Sequence, residues 1–191
     1  IFAVINTLFS SNSASNGNGG SISITGRYSF DKAKMPLVSV SDTVFNNNSA
    51  KQNGGAMHIK GYQSSTYHYN INTSFYSLSF TNNSAGLQGG GIYMFDAKTD
   101  GTSLTFSANY AGTKGGGMYL KSGHDTSSYL RNCKFVQNHA PEGGYAMTID
   151  SLKLTLAQSI VQANYGSPTD AFSKVGGAIS VLNLKSMVIA K

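Results

Sequence analysis

Phe80-Thr81-Asn82-Asn83-Ser84-Ala85, followed after a short break by Gly89-Gly90-Gly91-Ile92-Tyr93-Met94, is the stretch that decides the fold. Its first half recurs as Phe9-Ser10-Ser11-Asn12-Ser13-Ala14 and Phe45-Asn46-Asn47-Asn48-Ser49-Ala50, then as Phe106-Ser107-Ala108-Asn109-Tyr110-Ala111 and Phe135-Val136-Gln137-Asn138-His139-Ala140. Val161-Gln162-Ala163-Asn164-Tyr165-Gly166 is a degenerate sixth copy. A glycine pair follows each: Gly19-Gly20, Gly54-Gly55, Gly89-Gly90, Gly115-Gly116, Gly143-Gly144 and Gly176-Gly177. An alternating apolar run comes next, Ile22/Ile24, Met57/Ile59, Ile92/Met94, Met118/Leu120, Met147/Ile149 and Ile179/Val181. Four copies keep a spacing of 12 residues from Phe to the first of these; the first copy has one extra residue and the sixth has six. The fifth carries Tyr145 where a second glycine is expected, which predicts an altered turn there.

Each feature has a physical role. Period-two alternation sends one set of side chains inward, as a half-buried strand requires. Copies 26 to 36 residues apart are too close for separate domains but suit one coil of a solenoid. Coils stacked about 4.8 Å apart pair like with like. The Phe residues then form an internal aromatic stack. Asn12, Asn48, Asn83, Asn109, Asn138 and Asn164 form a ladder that supplies partners for buried turn groups. Alanine fits the tight bend, and Gly-Gly gives the free φ for turning into the next strand. The expectation is an all-β, right-handed parallel β-helix of about six rungs, with longer loops on one edge. The handedness follows from the crossover rule for parallel strands. Residues 1–191 read as one segment, with rungs centred near Phe9, Phe45, Phe80, Phe106, Phe135 and Val161.

Composition agrees. The chain has 22 Gly, no Trp and only 12% charged residues, yet 40% hydrophobic residues with 11 Tyr and 10 Phe, too many for disorder. The net charge of +6 suits an acidic partner, but the basic residues are scattered, and a solvated basic surface is the favoured reading over specific nucleic-acid binding. The single cysteine, Cys133, excludes an internal disulfide framework and a cysteine zinc cluster. No run of about 18 apolar residues exists to form a membrane-spanning helix. Residues 1–9 read as a strand entering the first rung and 182–191 as the start of a seventh. The full protein is therefore expected to continue in both directions or to stack end to end.

The paired Phe-x-x-Asn and Gly-Gly-(Ala/Gly)-(Ile/Met) motifs resemble the repeats of the chlamydial polymorphic membrane proteins. Those are autotransporter adhesins whose passenger is a right-handed β-helix of the pectin-lyase-like superfamily. Similar repeats occur in large surface and extracellular proteins of bacteria and protists. The resemblance covers essentially the whole chain and is specific for architecture, not for activity.

Individuality lies where the rungs differ. The gap from Ile24 to Phe45, like that from Ile59 to Phe80, is 21 residues, against 12 from Met94 to Phe106 and 15 from Leu120 to Phe135. Insertions at one coil position emerge on one edge. The first two hold Arg27, Tyr28, Phe30, Lys32 and Lys34, then Lys60, Tyr62, Tyr67, His68 and Tyr69; Lys121, His124 and Tyr129 mark the third. One reading is a basic, aromatic contact patch; the other is loops that fold on each other and shield the wall. Outward positions also align, with Tyr110, His139 and Tyr165 after Ser84, and His58, Tyr93 and Tyr119 on the glycine strands. Such rows suit sugar rings, or simply aromatic pairing on an exposed sheet.

Catalytic chemistry is not indicated. Calcium-dependent lyases and glycosidases need clustered carboxylates, and no two of the eight acidic residues share a coil position on neighbouring rungs. Asp96 and Asp100 are read as formers of one turn, and no metal or cofactor is expected. Sequons occur at Asn47, Asn72 and Asn82. Asn47 and Asn82 share a coil position, with roots about 5 Å apart, so Asn72, in the long insertion, is the favoured glycosylation site.

The expected function is a non-catalytic structural or adhesive stalk of a cell-surface or extracellular protein or filament. Its partners would be proteins, or copies of itself end to end or laterally, or glycans. The alternatives are a scaffold module of an intracellular or ciliary assembly, marked by a reduced Cys133 and no glycan, and a carbohydrate-binding or carbohydrate-active protein.

Overall fold

The computed structural model describes residues 1–26, 37–64, 68–123, 126–165, 178–182 and 186–190. Among them there is no helix; strands stack in three parallel walls, and the chain is an all-β parallel solenoid.

The longest wall stacks Phe2–Ile5 and Leu8–Ser10 beneath Leu37–Asn46, Ile71–Thr81 and Ala97–Ser107. It continues through Ser127–Arg131 and Lys134–Val136, then Lys153–Ala157 and Ile160–Gln162, to Ser186–Ala190. A short wall holds Ser13–Ala14, Ser49–Ala50, Ser84–Ala85 and Tyr110–Ala111. The glycine wall runs from Ile22–Thr25 through Met57–Lys60, Ile92–Phe95, Met118–Lys121 and Met147–Asp150 to Ile179–Leu182.

Register follows the repeat. Phe9 pairs with Phe45, Phe45 with Phe80, Phe80 with Phe106, Phe106 with Phe135, and Phe135 with Val161. Successive rings lie 5.1, 4.7, 4.9 and 4.8 Å apart with planes within 6° of parallel. Facing them, Met57, Ile59, Ile92, Met94, Met118, Leu120, Met147 and Ile149 point inward from the glycine wall and complete the core. Alanine follows: Ala85 and Ala111 in the short wall, and Ala140 beyond it at the same repeat position, are fully buried.

The bends are set by residues in the left-handed region. Ser11, Asn47, Asn82, Ala108, Gln137 and Ala163, each just before a ladder Asn, have φ between 52° and 57°. A second column, Asn6, Asp42, Ser77, Ser103, Asn132 and Gln158, breaks the long wall with φ between 48° and 58°. Each such residue costs on the order of 1 kcal/mol in isolation, and the stacked hydrogen bonds above and below hold it in place.

The glycine pair divides its labour. At Gly89, φ is +67°, which is the turn itself. Gly90 is required for a different reason: a Cβ there would collide with the backbone carbonyls of Gly116 and Tyr110. The expectation that both residues serve φ is corrected on that point. In the fifth copy the pair shifts by one, with φ of 109° at Gly143 and 59° at Gly144, so Gly144 takes the turn and Tyr145 the next position.

Three further expectations are corrected. Asn72 is not in a protruding loop: it lies in the strand Ile71–Thr81, paired between Leu37 and Lys98, although its side chain is exposed. Tyr129 likewise sits in a strand, between Asp100 and Thr155. Asp96 and Asp100 do not share a turn, because the strand Ala97–Ser107 begins immediately after Asp96. In each case the segment after the glycine strand resumes wall pairing sooner than a loop reading allows.

Candidate functional site

The structural ladder residues form a continuous polar string. Asn48 donates from its backbone N–H and from Nδ2 to Asn83 Oδ1, at 2.9 and 3.0 Å. Its Nδ2 also donates to the Phe9 carbonyl, at 3.0 Å. Asn83, Asn109 and Asn138 repeat this arrangement, reaching forward to the next Asn and back to Phe45, Phe80 and Phe106. Asn12 begins the string on Asn48, and Asn164 ends it on the Phe135 carbonyl. Each interior amide thus ties three coils and satisfies a buried backbone N–H. These positions have no spare capacity for a ligand.

A second, shorter amide ladder occupies the position before the glycine pair. Asn53 donates from N–H and Nδ2 to Asn18 Oδ1, at 3.0 and 3.1 Å, and accepts from the Gln88 N–H at 3.2 Å. Its signal in the sequence is positional, since Asn18, Asn53 and Gln88 each immediately precede Gly-Gly.

This second ladder rims an open groove of about 450 Å³ on the outer face of the glycine wall. The lining continues through Thr25, His58, Lys60, Gln63, Tyr93 and Phe95. Strand alternation fixes two columns here: Ser23, His58, Tyr93 and Tyr119, and beside it Thr25, Lys60, Phe95 and Lys121. His58 stacks on Tyr93 at 5.3 Å, and Tyr93 on Tyr119 at 5.3 Å. Ser23 Oγ lies 3.4 Å from His58 Nδ1. Burial, then the nearby Lys60 charge, pulls the His58 pKa down to about 4, so the ring is neutral at physiological pH. Burial, assisted by Asp96 and Asp150, pushes Tyr93 up to about 12. Tyr119 moves further in the same direction, chiefly through burial, with Asp150 adding to it.

The reading of this row as an exposed sheet is corrected. His58 is 5% exposed, Tyr119 3% and Thr148, next in the column, 0%; only Tyr93 is half-open. The other row does reach solvent: Tyr110 and Tyr165 are exposed, and His139 lies 5.2 Å from Tyr110 and 5.0 Å from Tyr165.

Of the contact-patch residues, Arg27, Tyr28, Phe30, Lys32, Lys34, Tyr67 and His124 lie outside the described residues. Lys60 is exposed, with its Nζ 5.7 Å from the centre of the Phe95 ring. Tyr62 and Tyr69 face each other across a small antiparallel hairpin, Tyr62–Gln63 with His68–Tyr69, at 6.3 Å between rings. That hairpin places Gln63 at the groove. Asn47 and Asn82 are exposed at their shared bend position.

Two groups with chemical potential have structural partners. Asp96 is fully buried; its Oδ1 accepts from Ser122 Oγ at 3.1 Å and Gly123 N at 2.7 Å, which anchors the start of the third loop, while its Oδ2 is buried without a hydrogen-bond partner among the described residues. Cys133 is 1% exposed, and burial pushes its thiol up to about 11. Such a thiol resists oxidation in any compartment, so its redox state does not discriminate a surface protein from an intracellular one. Among the described residues no three His, Cys, Asp or Glu side chains gather as metal ligands, and no helix is long and apolar enough to cross a membrane.

The family model of the Chlamydia polymorphic membrane protein repeat matches residues 42–56 and 77–94. Two segments of the chain are thus similar to that repeat. Each match starts at or beside the mid-wall bend, Asp42 or Ser77, and runs through Phe, Asn and Ala into the glycine turn. The second match also takes in Ile92, Tyr93 and Met94. No curated protein and no solved structure matches the chain.

Proposed function

We propose that this chain is a non-catalytic, rigid stalk segment of a surface-exposed protein, presenting adhesive or structural contacts along one edge. The observation that carries this reading is the unbroken asparagine string from Asn12 to Asn164, parallel to the phenylalanine stack. Nearest-neighbour ladders of this kind make a solenoid stiff along its axis. The surface location is drawn from the repeat family, whose described members are membrane proteins of Chlamydia. A non-catalytic role is supported by the use of Asp96 Oδ1 as an anchor for Ser122 and Gly123, and by Asp100, which stands exposed in a paired strand. Contacts would come from the edge bearing Lys60, Tyr62 and Tyr69, with other proteins or copies of the same chain as partners.

Protease shaving of intact cells, followed by detection with an antibody to this chain, tests the reading. Loss of signal while a cytoplasmic marker survives is expected. Full protection until lysis contradicts it and favours the intracellular scaffold.

A further inference from the structure

We propose that the groove rimmed by Asn18 and Asn53 is a binding site for an acidic saccharide, with the sugar carboxylate on Lys60 and its hydroxyls on the flanking amides. This goes beyond the stalk reading and does not depend on where the stalk is displayed.

The lining carries the argument. The volume of about 450 Å³ lies within the ~300–1,000 Å³ typical of small-ligand clefts. Such clefts are mostly apolar, whereas this one converges Asn18, Gln52, Asn53, Gln63, Thr25 and Lys60 on one space. Side-chain amides both donate and accept, which matches vicinal hydroxyls, each of them donor and acceptor. Asn18 Oδ1 is taken by Asn53, which fixes the Asn18 amide so that its Nδ2 remains free among the described residues. The same ladder holds Asn53 in place through the Gln88 N–H. The rim is therefore preorganised, so less ordering is lost on binding.

The floor adds shape and sign. His58 is wedged between Ser23 and the Tyr93 ring, giving a fixed neutral surface. Lys60 has no carboxylate partner among the described residues, unlike Lys121 two positions further along the column, which pairs with Asp150 at 3.3 Å. An exposed, unpaired ammonium beside fixed amides suits a carboxylate rather than a neutral sugar. A peptide strand is a poorer fit, because the groove lies on a sheet face whose backbone is already paired.

The test is isothermal titration of the whole chain with three acidic oligosaccharides, carrying galacturonate, glucuronate or sialate, and with maltotriose as the neutral control. Saturable binding of at least one acidic sugar, ten-fold or more tighter than maltotriose, is expected. Lys60→Gln and Gln63→Ala should each weaken it at least five-fold, while Lys98→Gln, on the long wall, leaves it unchanged. All three residues are exposed, and unchanged circular dichroism verifies folding. Absence of saturable binding to every acidic sugar overturns the proposal. So does equal binding of maltotriose, or a loss with Lys98→Gln as large as with Lys60→Gln, which would mark diffuse charge attraction.

Discussion

Asn83 Oδ1 accepts from both the backbone N–H and the side-chain Nδ2 of Asn48, while its own Nδ2 reaches back 3.0 Å to the Phe45 carbonyl. One amide thus closes a bend in the coil before it and is itself closed by Asn109 in the coil after. Replacing it strands buried groups on both sides. Asn83→Ala is expected to cost about 2–4 kcal/mol, since each orphaned buried donor or acceptor costs about 1–3 kcal/mol. Asn12→Ala, at the part-buried start of the string, should cost clearly less. Urea unfolding of the two variants measures the difference.

The phenylalanine stack predicts a matching gradient. Phe80 is fully buried between Phe45 and Phe106, and Phe80→Ala should cost about 3–5 kcal/mol. Phe9 is only partly buried and has one ring neighbour, so Phe9→Ala should cost less than half as much in the same denaturation experiment.

The division within the glycine pair is also testable. Gly90→Ala sets a methyl group against the carbonyls of Gly116 and Tyr110, and a fall in melting temperature of several degrees or failure to fold is expected. Gly17→Ala meets nothing within 4 Å and should be near neutral.

His58 gives stability a pH dependence. Its folded pKa of about 4 lies below the ordinary 6.5, so between those values the unfolded chain binds the proton more readily. Stability from this group is complete above about pH 6.5 and is lost as pH falls toward 4. His58→Tyr, which can stack in the column on Tyr93, should flatten that part of a stability-against-pH curve. An unchanged slope would remove His58 as the cause.

How far the sequence foretold these relationships depended on whether one residue type recurred. Phe, Asn and Gly mark their positions because only an aromatic ring, an amide or a bare backbone fits there. The left-handed bends before each Asn left no such mark: Ser11, Asn47, Ala108 and Gln137 share φ but not chemistry, since neighbouring coils impose the conformation. The Asn18–Asn53–Gln88 ladder leaves a fainter mark, an amide before each of its Gly-Gly pairs, beside the stronger glycine signal. Burial of His58 and Tyr119 was not readable, because alternation tells which residues face outward but not whether something covers them. Asp96 misled for the same reason: a turn-forming residue type conceals a buried anchor for Ser122 and Gly123.

Register between coils is the claim on which the stalk rests, and a disulfide tests it most directly. Ser79 pairs with Thr105 on adjacent strands, both pointing outward, and paired strands bring Cα atoms within the ~4.4–6.8 Å that a disulfide spans. In a Cys133→Ala background, Ser79→Cys with Thr105→Cys should cross-link almost completely under mild oxidation. Ser79→Cys with Ser107→Cys, two residues out of register and so about 8 Å apart, should not. Equal cross-linking of both pairs, or preference for the second, would contradict the in-register β-helix.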